Sequence, residues 1–452
     1  MHDALAAGPE ETGRGLSSDG SGNGRHNRQA MAVLTTLFFL CGFLAALNDI
    51  LIPHLKPIFS LNYAQVMLVQ FSFFSAFLLF AGPSAKLIAH VGYKRTMVIG
   101  LLTMSAGAWL FLPAANVPSF ALFMCALMVL AAGITSLQVA GNPYIAVLGP
   151  THTASSRLTL TQAFNSLGST IAPSIGGLLF LNSPSPHADS LALMTESALH
   201  AYRLEHAAQV KAPYIGIALT LLILAVIISR VYLPAIPSVS AAVLGHSGSV
   251  WKHRHLRFGV AAIFLAVGGE VAVGSFLVNY LTQADIGGLT PKTASMFVSL
   301  YWGGAMAGRF LGSAVMRTWP APKVLGVSAV VVVTLLTTSI LSNGYWAMWS
   351  ILFVGFFNSI MFPTIFTLGI AGLGPLIPKG AGVLMAAAVG GAIIPVIQGA
   401  FADTMGIHSS FLVPAICYAY VAFYGFDGCR PVSLAFDRDS LAQRKDANFE
   451  RS

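Results

Sequence analysis

Hydrophobic residues occur in long runs along the chain, separated by short stretches rich in Pro, Gly and charge. A helix that crosses a bilayer needs about 20 apolar residues, and the sequence contains twelve runs of that kind. They lie near residues 31–58, 63–83, 95–113, 118–147, 157–182 and 213–233, and near 258–282, 292–316, 323–342, 345–371, 380–401 and 409–429. The pattern predicts an all-α membrane protein with twelve transmembrane helices.

Polar stretches divide these runs into two sets of six. Residues 1–29 are rich in Gly and Ser and lack the apolar core of a signal peptide, so we expect a disordered cytoplasmic tail. One six-helix bundle then covers residues 30–233 and a second covers 258–430, with a basic cytoplasmic connector at 234–257. Residues 431–452 form a second cytoplasmic tail.

The composition agrees with a membrane protein. Of the 452 residues, 56% are hydrophobic and only 9% are charged, whereas soluble domains carry about 25% charged residues. The net charge of +8 does not indicate nucleic acid, because the basic residues separate apolar runs and never form a stripe. The four cysteines include no C-x-x-C pair, so neither a zinc site nor a disulfide framework is expected.

Basic residues also predict the orientation. With both termini in the cytoplasm, only Lys56, Arg203, Lys211 and Lys292 lie outside, which leaves 20 of the 24 Lys and Arg residues inside. Cytoplasmic loops of membrane proteins carry such an excess of Lys and Arg. We therefore expect both termini in the cytoplasm and anionic lipid as the partner of the connector.

The two halves repeat at an offset of 220 to 222 residues. Gly168 and Pro173 of the fifth segment match Gly390 and Pro395 of the eleventh, and the same register places Gln138 opposite Asn358. Parallel six-helix repeats, related by an axis along the membrane normal, are one common transporter design with its substrate between the halves.

Two acids stand inside hydrophobic runs. Asp49 lies in the first segment and Glu270 in the seventh, within one residue of each other in the repeat. A carboxylate at the bilayer centre costs roughly 2.5–3.5 kcal/mol on insertion scales and is usually functional. We expect both to face one cavity and to bind a proton or cation, the alternative being polar contacts between helices.

No Lys, Arg or His lies in the central part of any segment, so no cation is expected to neutralise these acids permanently. Arg309 lies near the inner end of the eighth segment and is interpreted as an interfacial anchor, with a gating ion pair as the alternative.

Amide side chains form the candidate substrate site, since they both donate and accept hydrogen bonds, as sugar hydroxyls do. Gln138 and Asn142 share one face of the fourth helix, and Gln162 and Asn165 share one face of the fifth. The candidate substrate ligands are Asn48, Gln138, Asn142, Gln162, Asn165, Asn279 and Asn358. The alternative for each amide is a hydrogen bond between helices.

The metalloprotease, nucleophile-elbow, Walker and dinucleotide-binding motifs are all missing. We therefore predict a protein that is not an enzyme and has no cofactor or metal site. Transport would draw its energy from an ion gradient or from the gradient of the substrate itself.

Several motifs together resemble the fucose:proton symporter family of the major facilitator superfamily. They are LNDILIP at 47–53, GNPY at 141–144, LGP at 148–150, QAFNSLG at 162–168 and PTIFTLGI at 363–370. The strings GEVAVGSFLVNY at 269–280 and FLVPAICY at 411–418 look like the bacterial glucose/galactose branch of that family.

This resemblance implies a major facilitator fold, with twelve helices in two pseudo-symmetric six-helix halves, in the bacterial inner membrane. It also implies a coupling role for Asp49 and sugar contacts for Gln162 and Asn165. Gln138 departs from the fucose type, which has a proton-carrying glutamate there, and Glu270 is a candidate replacement.

The resulting hypothesis is a monomeric, proton-coupled importer of glucose and galactose, with fucose as a further candidate and Na⁺ as an alternative coupling ion. Asp49 and Glu270 would bind the proton and the amides would bind the sugar. Two alternatives stay open. The Gly/Pro pattern of residues 168–177 resembles helix five of drug–proton antiporters and suggests efflux, and a non-transporting sugar sensor could use the same fold.

Overall fold

The computed structural model describes residues 27, 29–44, 46, 63–116, 119–180, 211–234 and 249–430, with only the backbone described for 63–70, 115–116, 173–180 and 213. Nearly all of the two predicted tails, most of the connector, the loop after the fifth segment, Asn48 and Asp49 lie outside these residues. The described part is almost entirely helical.

The first half contains five described helices in chain order. They are α1 (Gln29–Leu44), α2 (Tyr63–Asn116), α3 (Phe120–Val147), α4 (Ala154–Phe180) and α5 (Lys211–Arg230). Helix α2 contains both the second and the third predicted segments, which meet at Gly92. Gly92 has a φ of 82°, a conformation that residues with a Cβ rarely adopt.

The second half contains nine helices. They are α6 (Arg254–Leu281), α7 (Pro291–Val315), α8 (Ala321–Leu341), α9 (Gly344–Asn358), α10 (Met361–Ile370), α11 (Ile377–Ala386), α12 (Gly390–Met405), α13 (Ile407–Ser410) and α14 (Leu412–Phe423). Helix α6 begins four residues before the predicted start at 258. Each of the last three predicted segments is interrupted, between α9 and α10, between α11 and α12, and between α13 and α14.

Glycines allow matching close contacts in the two halves. A Cβ on Gly168 of α4 would lie 2.1 Å from the carbonyl oxygen of Phe39 on α1, and a Cβ on Gly390 would lie 2.0 Å from that of Phe264 on α6. These two glycines are equivalent in the sequence repeat. The fifth and eleventh segments therefore pack in the same way on the first and seventh, as two-fold pseudo-symmetry requires.

Seven helical stretches among the described residues are long and apolar enough to cross a membrane, and the first of them contains two predicted segments. Helices α4 and α7, of 27 and 25 residues, are long enough but more polar. Both lie at the interface between the halves, where their hydroxyl groups and Arg309 bond to the opposite half. Their polar residues therefore belong to the interface between the halves and do not indicate that these segments are loops.

The halves are in contact at the end of the bundle where α4 begins and α7 ends, here called the closed end. Ser156 Oγ donates to the carbonyl of Ser313 at 2.7 Å, and Ser313 Oγ donates to that of Ser156 at 2.9 Å. Ser155 and Thr367 join their hydroxyls at 2.6 Å. All four side chains are buried, so these bonds are shielded from competing water.

Candidate functional site

Glu270 and Arg309 form an ion pair between α6 and α7. Arg309 Nη2 lies 3.4 Å from Glu270 Oε1, and the two side chains are only 15% and 16% exposed. The expectation that no cation would neutralise the intramembrane acids is therefore wrong for Glu270. The partners are 39 positions apart in the chain, and their contact depends on how α6 and α7 pack, which the sequence does not show.

Arg309 also bonds to a carbonyl that proline leaves free. Pro363 has no N–H, so the carbonyl of Ser359, four residues earlier, has no helical donor. Helix α9 ends at Asn358, and Arg309 Nε donates to the Ser359 carbonyl at 3.0 Å. The break in the tenth segment thus leaves a backbone carbonyl free to accept a hydrogen bond from the guanidinium.

The third contact of Arg309 crosses to the other half. Its Nη1 donates to the hydroxyl of Ser166 on α4. A Cβ on Gly308 would lie 2.1 Å from the carbonyl oxygen of Phe356, so only glycine lets α7 approach α9 this closely. Arg309 therefore joins α6, the α9–α10 break and the first half. Of the two interpretations of Arg309, an interfacial anchor or a gating ion pair, the geometry supports the ion pair.

Asn358 lies beside this ion pair and links two tyrosines. Its Nδ2 donates to the hydroxyls of Tyr301 and Tyr418, each at 3.0 Å, and all three residues are buried. Its Oδ1 is buried without a hydrogen-bond partner among the described residues. A Cβ on Gly269 would lie 3.1 Å from the Tyr418 ring, so the glycine before Glu270 makes room for this tyrosine.

The amides of the first half form a second cluster. Gln162 Nε2 donates to Asn142 Oδ1 at 3.3 Å, and Asn142 Nδ2 contacts Met385 Sδ of the other half at 3.4 Å. Asn165 Nδ2 donates to the carbonyl of Phe38 on α1 at 2.8 Å. Gln138 is half-buried and makes no hydrogen bond to any described residue, so its amide is available to a ligand.

The remaining predicted residues lie apart. Asn279 is exposed at the end of α6, nine residues and roughly 13 Å along the helix from Glu270. Asn48 and Asp49 lie outside the described residues, so their predicted roles stay predictions. The sequence repeat singled out Asn358 by its match to Gln138 but gave no signal for its partners Tyr301 and Tyr418, which only the structure brings together.

Comparisons with known proteins agree with this architecture. The family model described as Major Facilitator Superfamily matches residues 34–375. The glucose/galactose transporter of Brucella abortus is 48% identical over 402 residues, which cover 89% of this chain and 94% of the relative. The L-fucose-proton symporter of Escherichia coli is 33% identical over 401 residues, which cover 87% of this chain and 91% of the relative.

A solved structure has the same fold. It is the crystal structure of the major facilitator transporter FucP in the outward conformation, which matches with a TM-score of 0.82 and 32% identity, over 89% of this chain and 99% of that one. The fold, the repeated halves and the relatives that align over most of this chain agree with one another. The chain belongs to the major facilitator superfamily.

Proposed function

We propose that this protein imports a hexose, glucose or galactose, together with a proton by alternating access. The observation that supports this most directly is the Glu270–Arg309 ion pair of the second half, whose arginine also bonds to Ser166 of the first half. The named activities of the relatives, glucose/galactose transport and L-fucose-proton symport, support the substrate class and the proton.

The ion pair gives a physical basis for coupling. With Glu270 ionised, the two charges sum to zero, so the pair costs less in a closed and dry site than either unpaired charge would. A proton on Glu270 removes the negative charge and weakens its hold on Arg309. The guanidinium is then free to leave Ser166, and one of the contacts that hold the halves together is lost.

Asp49 is proposed as the matching proton-binding group in the first half, because it occupies the equivalent position in the repeat. Gln138, Asn142, Gln162 and Asn165 are proposed to hold the sugar hydroxyls. Gln138 is the strongest candidate among them, since its amide has no bond to a described residue. Asn358 would hold Tyr301 and Tyr418 in place, and its unpartnered Oδ1 would accept from a water or a sugar hydroxyl.

The closed end is proposed to be cytoplasmic, because the loops at this end lie on the side of the predicted topology that carries the excess of Lys and Arg. The serine contacts that join the halves there would then belong to an outward-facing state. The fold match to a transporter crystallised in the outward conformation supports this proposal.

The experiment is sugar counterflow in proteoliposomes, with a panel of hexoses and with imposed proton or sodium gradients. We expect glucose and galactose to exchange, and a proton gradient to drive accumulation while a sodium gradient does not. Exchange without any gradient-driven accumulation would contradict symport. Asp49→Asn should retain exchange and lose accumulation.

A further inference from the structure

A cavity of about 610 Å³ lies at the closed end, outside the site described above. This volume is within the range of about 300–1,000 Å³ that small-molecule sites occupy. One wall comes from the α3–α4 loop, including Thr151 and His152, and the other from the α7–α8 loop, including Arg317 and Thr318. The Ser155–Thr367 pair lies at its lining, where the halves meet.

The formal charge among the residues that line this cavity is positive. None of its lining residues is acidic, while Arg317 and His152 line it and make no ion pair with a described residue. The helix dipoles favour neither an anion nor a cation in the cavity, because each of the two loops joins the C-terminus of one helix to the N-terminus of the next. The formal charges of the side chains therefore decide which ligand is attracted.

Arg157 of α4 holds the α3–α4 loop that forms this wall, although its own side chain does not line the cavity. Its guanidinium donates to the carbonyls of Ile145, Ala146 and Pro150 and to Thr153 Oγ1. All four acceptors are uncharged, so no carboxylate among them cancels the positive charge. The same hydrogen bonds fix the conformation of the α3–α4 loop, so this wall of the cavity has a defined shape.

We propose that this cavity binds a phosphate monoester and that the bound ligand holds the closed end shut. Arg and His donors match phosphate oxygens, and the apolar lining around Trp319 and Met316 would accept the body of the ligand. Because both halves line the cavity, opening of this end would dismantle it. A ligand that binds only the closed form shifts the equilibrium towards that form.

This inference rests on the proposed function in one respect. Because the closed end is proposed to be cytoplasmic, a ligand that holds it shut would inhibit import. A phosphorylation step that consumes the imported sugar produces a phosphate monoester, and that product would slow further import. Phosphate on an anionic lipid headgroup is the other source of the same group.

The test compares three probes on the purified full-length protein: glucose 6-phosphate, inorganic phosphate, and nanodiscs that contain phosphatidic acid. Thermal unfolding reports binding, and counterflow into vesicles loaded with glucose 6-phosphate reports inhibition. A ligand at ten times its Kd that binds only the closed form should slow counterflow by about 11-fold. Arg317→Gln should weaken binding at least about tenfold, while the nearby exposed Lys323→Gln, which does not line the cavity, should not.

The outcomes separate the alternatives. Stabilisation by glucose 6-phosphate that is lost in Arg317→Gln supports a soluble ligand, and the same dependence with phosphatidic acid alone supports a lipid headgroup. Equal responses of Arg317→Gln and Lys323→Gln, or no response to any probe, would overturn the proposal. Hexose counterflow without phosphate tests the proposed function separately. Its failure with intact Arg317-dependent binding would refute transport and leave this site standing.

Discussion

Gln138 and Asn358 occupy equivalent positions in the two halves but differ in what their amides do. Asn358 is 3% exposed and holds two buried tyrosine hydroxyls beside an ion pair. Gln138 is half-buried and has no bond to a described residue. One register position therefore bonds to neighbouring side chains in the second half and makes no such bond among the described residues of the first.

The same asymmetry applies to charge. In the second half, Glu270 is neutralised by Arg309 within the described residues. The polar residues described in the centre of the first half are uncharged amides and hydroxyls, and Gln162 and Asn165 bond to neighbouring helices. We expect substitutions in the second half to affect both stability and coupling, and those at Gln138 to affect sugar affinity alone.

The largest effect is expected from Arg309→Gln, which leaves Glu270 without its partner. Removing one member of a mostly buried pair should cost about 2–4 kcal/mol, and gradient-driven uptake should fall below detection. Thermal unfolding and uptake measure these effects. The double variant with Glu270→Gln contains no unpaired charge and should recover most of the stability. Equal melting temperatures for the single and double variants would argue against the pair.

Gly308→Ala is expected to be the next most damaging change, since its Cβ would lie 2.1 Å from the Phe356 carbonyl oxygen. Separating α7 from α9 should cost about 1–3 kcal/mol and weaken the contacts of Arg309. Gly303→Ala is the matched control on the same helix, because nothing lies within 4 Å of its Cβ. Thermal unfolding should separate the two variants, and equal losses would show that the glycine contact is unimportant.

Leucine substitutions test the comparison between Asn358 and Gln138 directly. Asn358→Leu leaves two buried hydroxyls without their donor and should destabilise the protein by about 1–3 kcal/mol. Gln138→Leu should leave the melting temperature unchanged and weaken sugar binding by about tenfold, which corresponds to about 1.4 kcal/mol. Calorimetry with glucose and thermal unfolding measure both. A destabilised Gln138→Leu protein with normal affinity would reverse the assignment.

The smallest effect is expected at the closed end. Ser156→Ala removes one hydrogen bond between the halves, with a net value of about 1 kcal/mol, and should shift the conformational equilibrium about fivefold towards opening of that end. Cysteine accessibility at that end measures the shift. Ser105→Ala is the control, since Ser105 bonds to the Ala218 carbonyl within one half. It should lower stability without changing accessibility.

The sequence predicted the helical membrane fold and the repeat well, because apolar runs and Gly/Pro spacing are local signals. The interruption at Ser359 was not predicted, although Pro363 contained the local reason for it. An ion pair was one of the two interpretations of Arg309, but its partner Glu270 could not be predicted, since no local pattern reports which residues of α6 and α7 meet in space. Each amide was predicted to bind either the substrate or a neighbouring helix. Only the hydrogen-bond partners in the structure separate these two roles.

Proton-driven accumulation of glucose by Glu270→Gln tests the central claim most directly, because glutamine imitates the protonated acid and cannot release a proton. Uptake by proteoliposomes is measured with an imposed proton gradient, and counterflow is measured without one. We predict that counterflow is retained and that accumulation falls to the equilibrium level. Accumulation equal to that of the unmodified protein would contradict a coupling role for the ion pair.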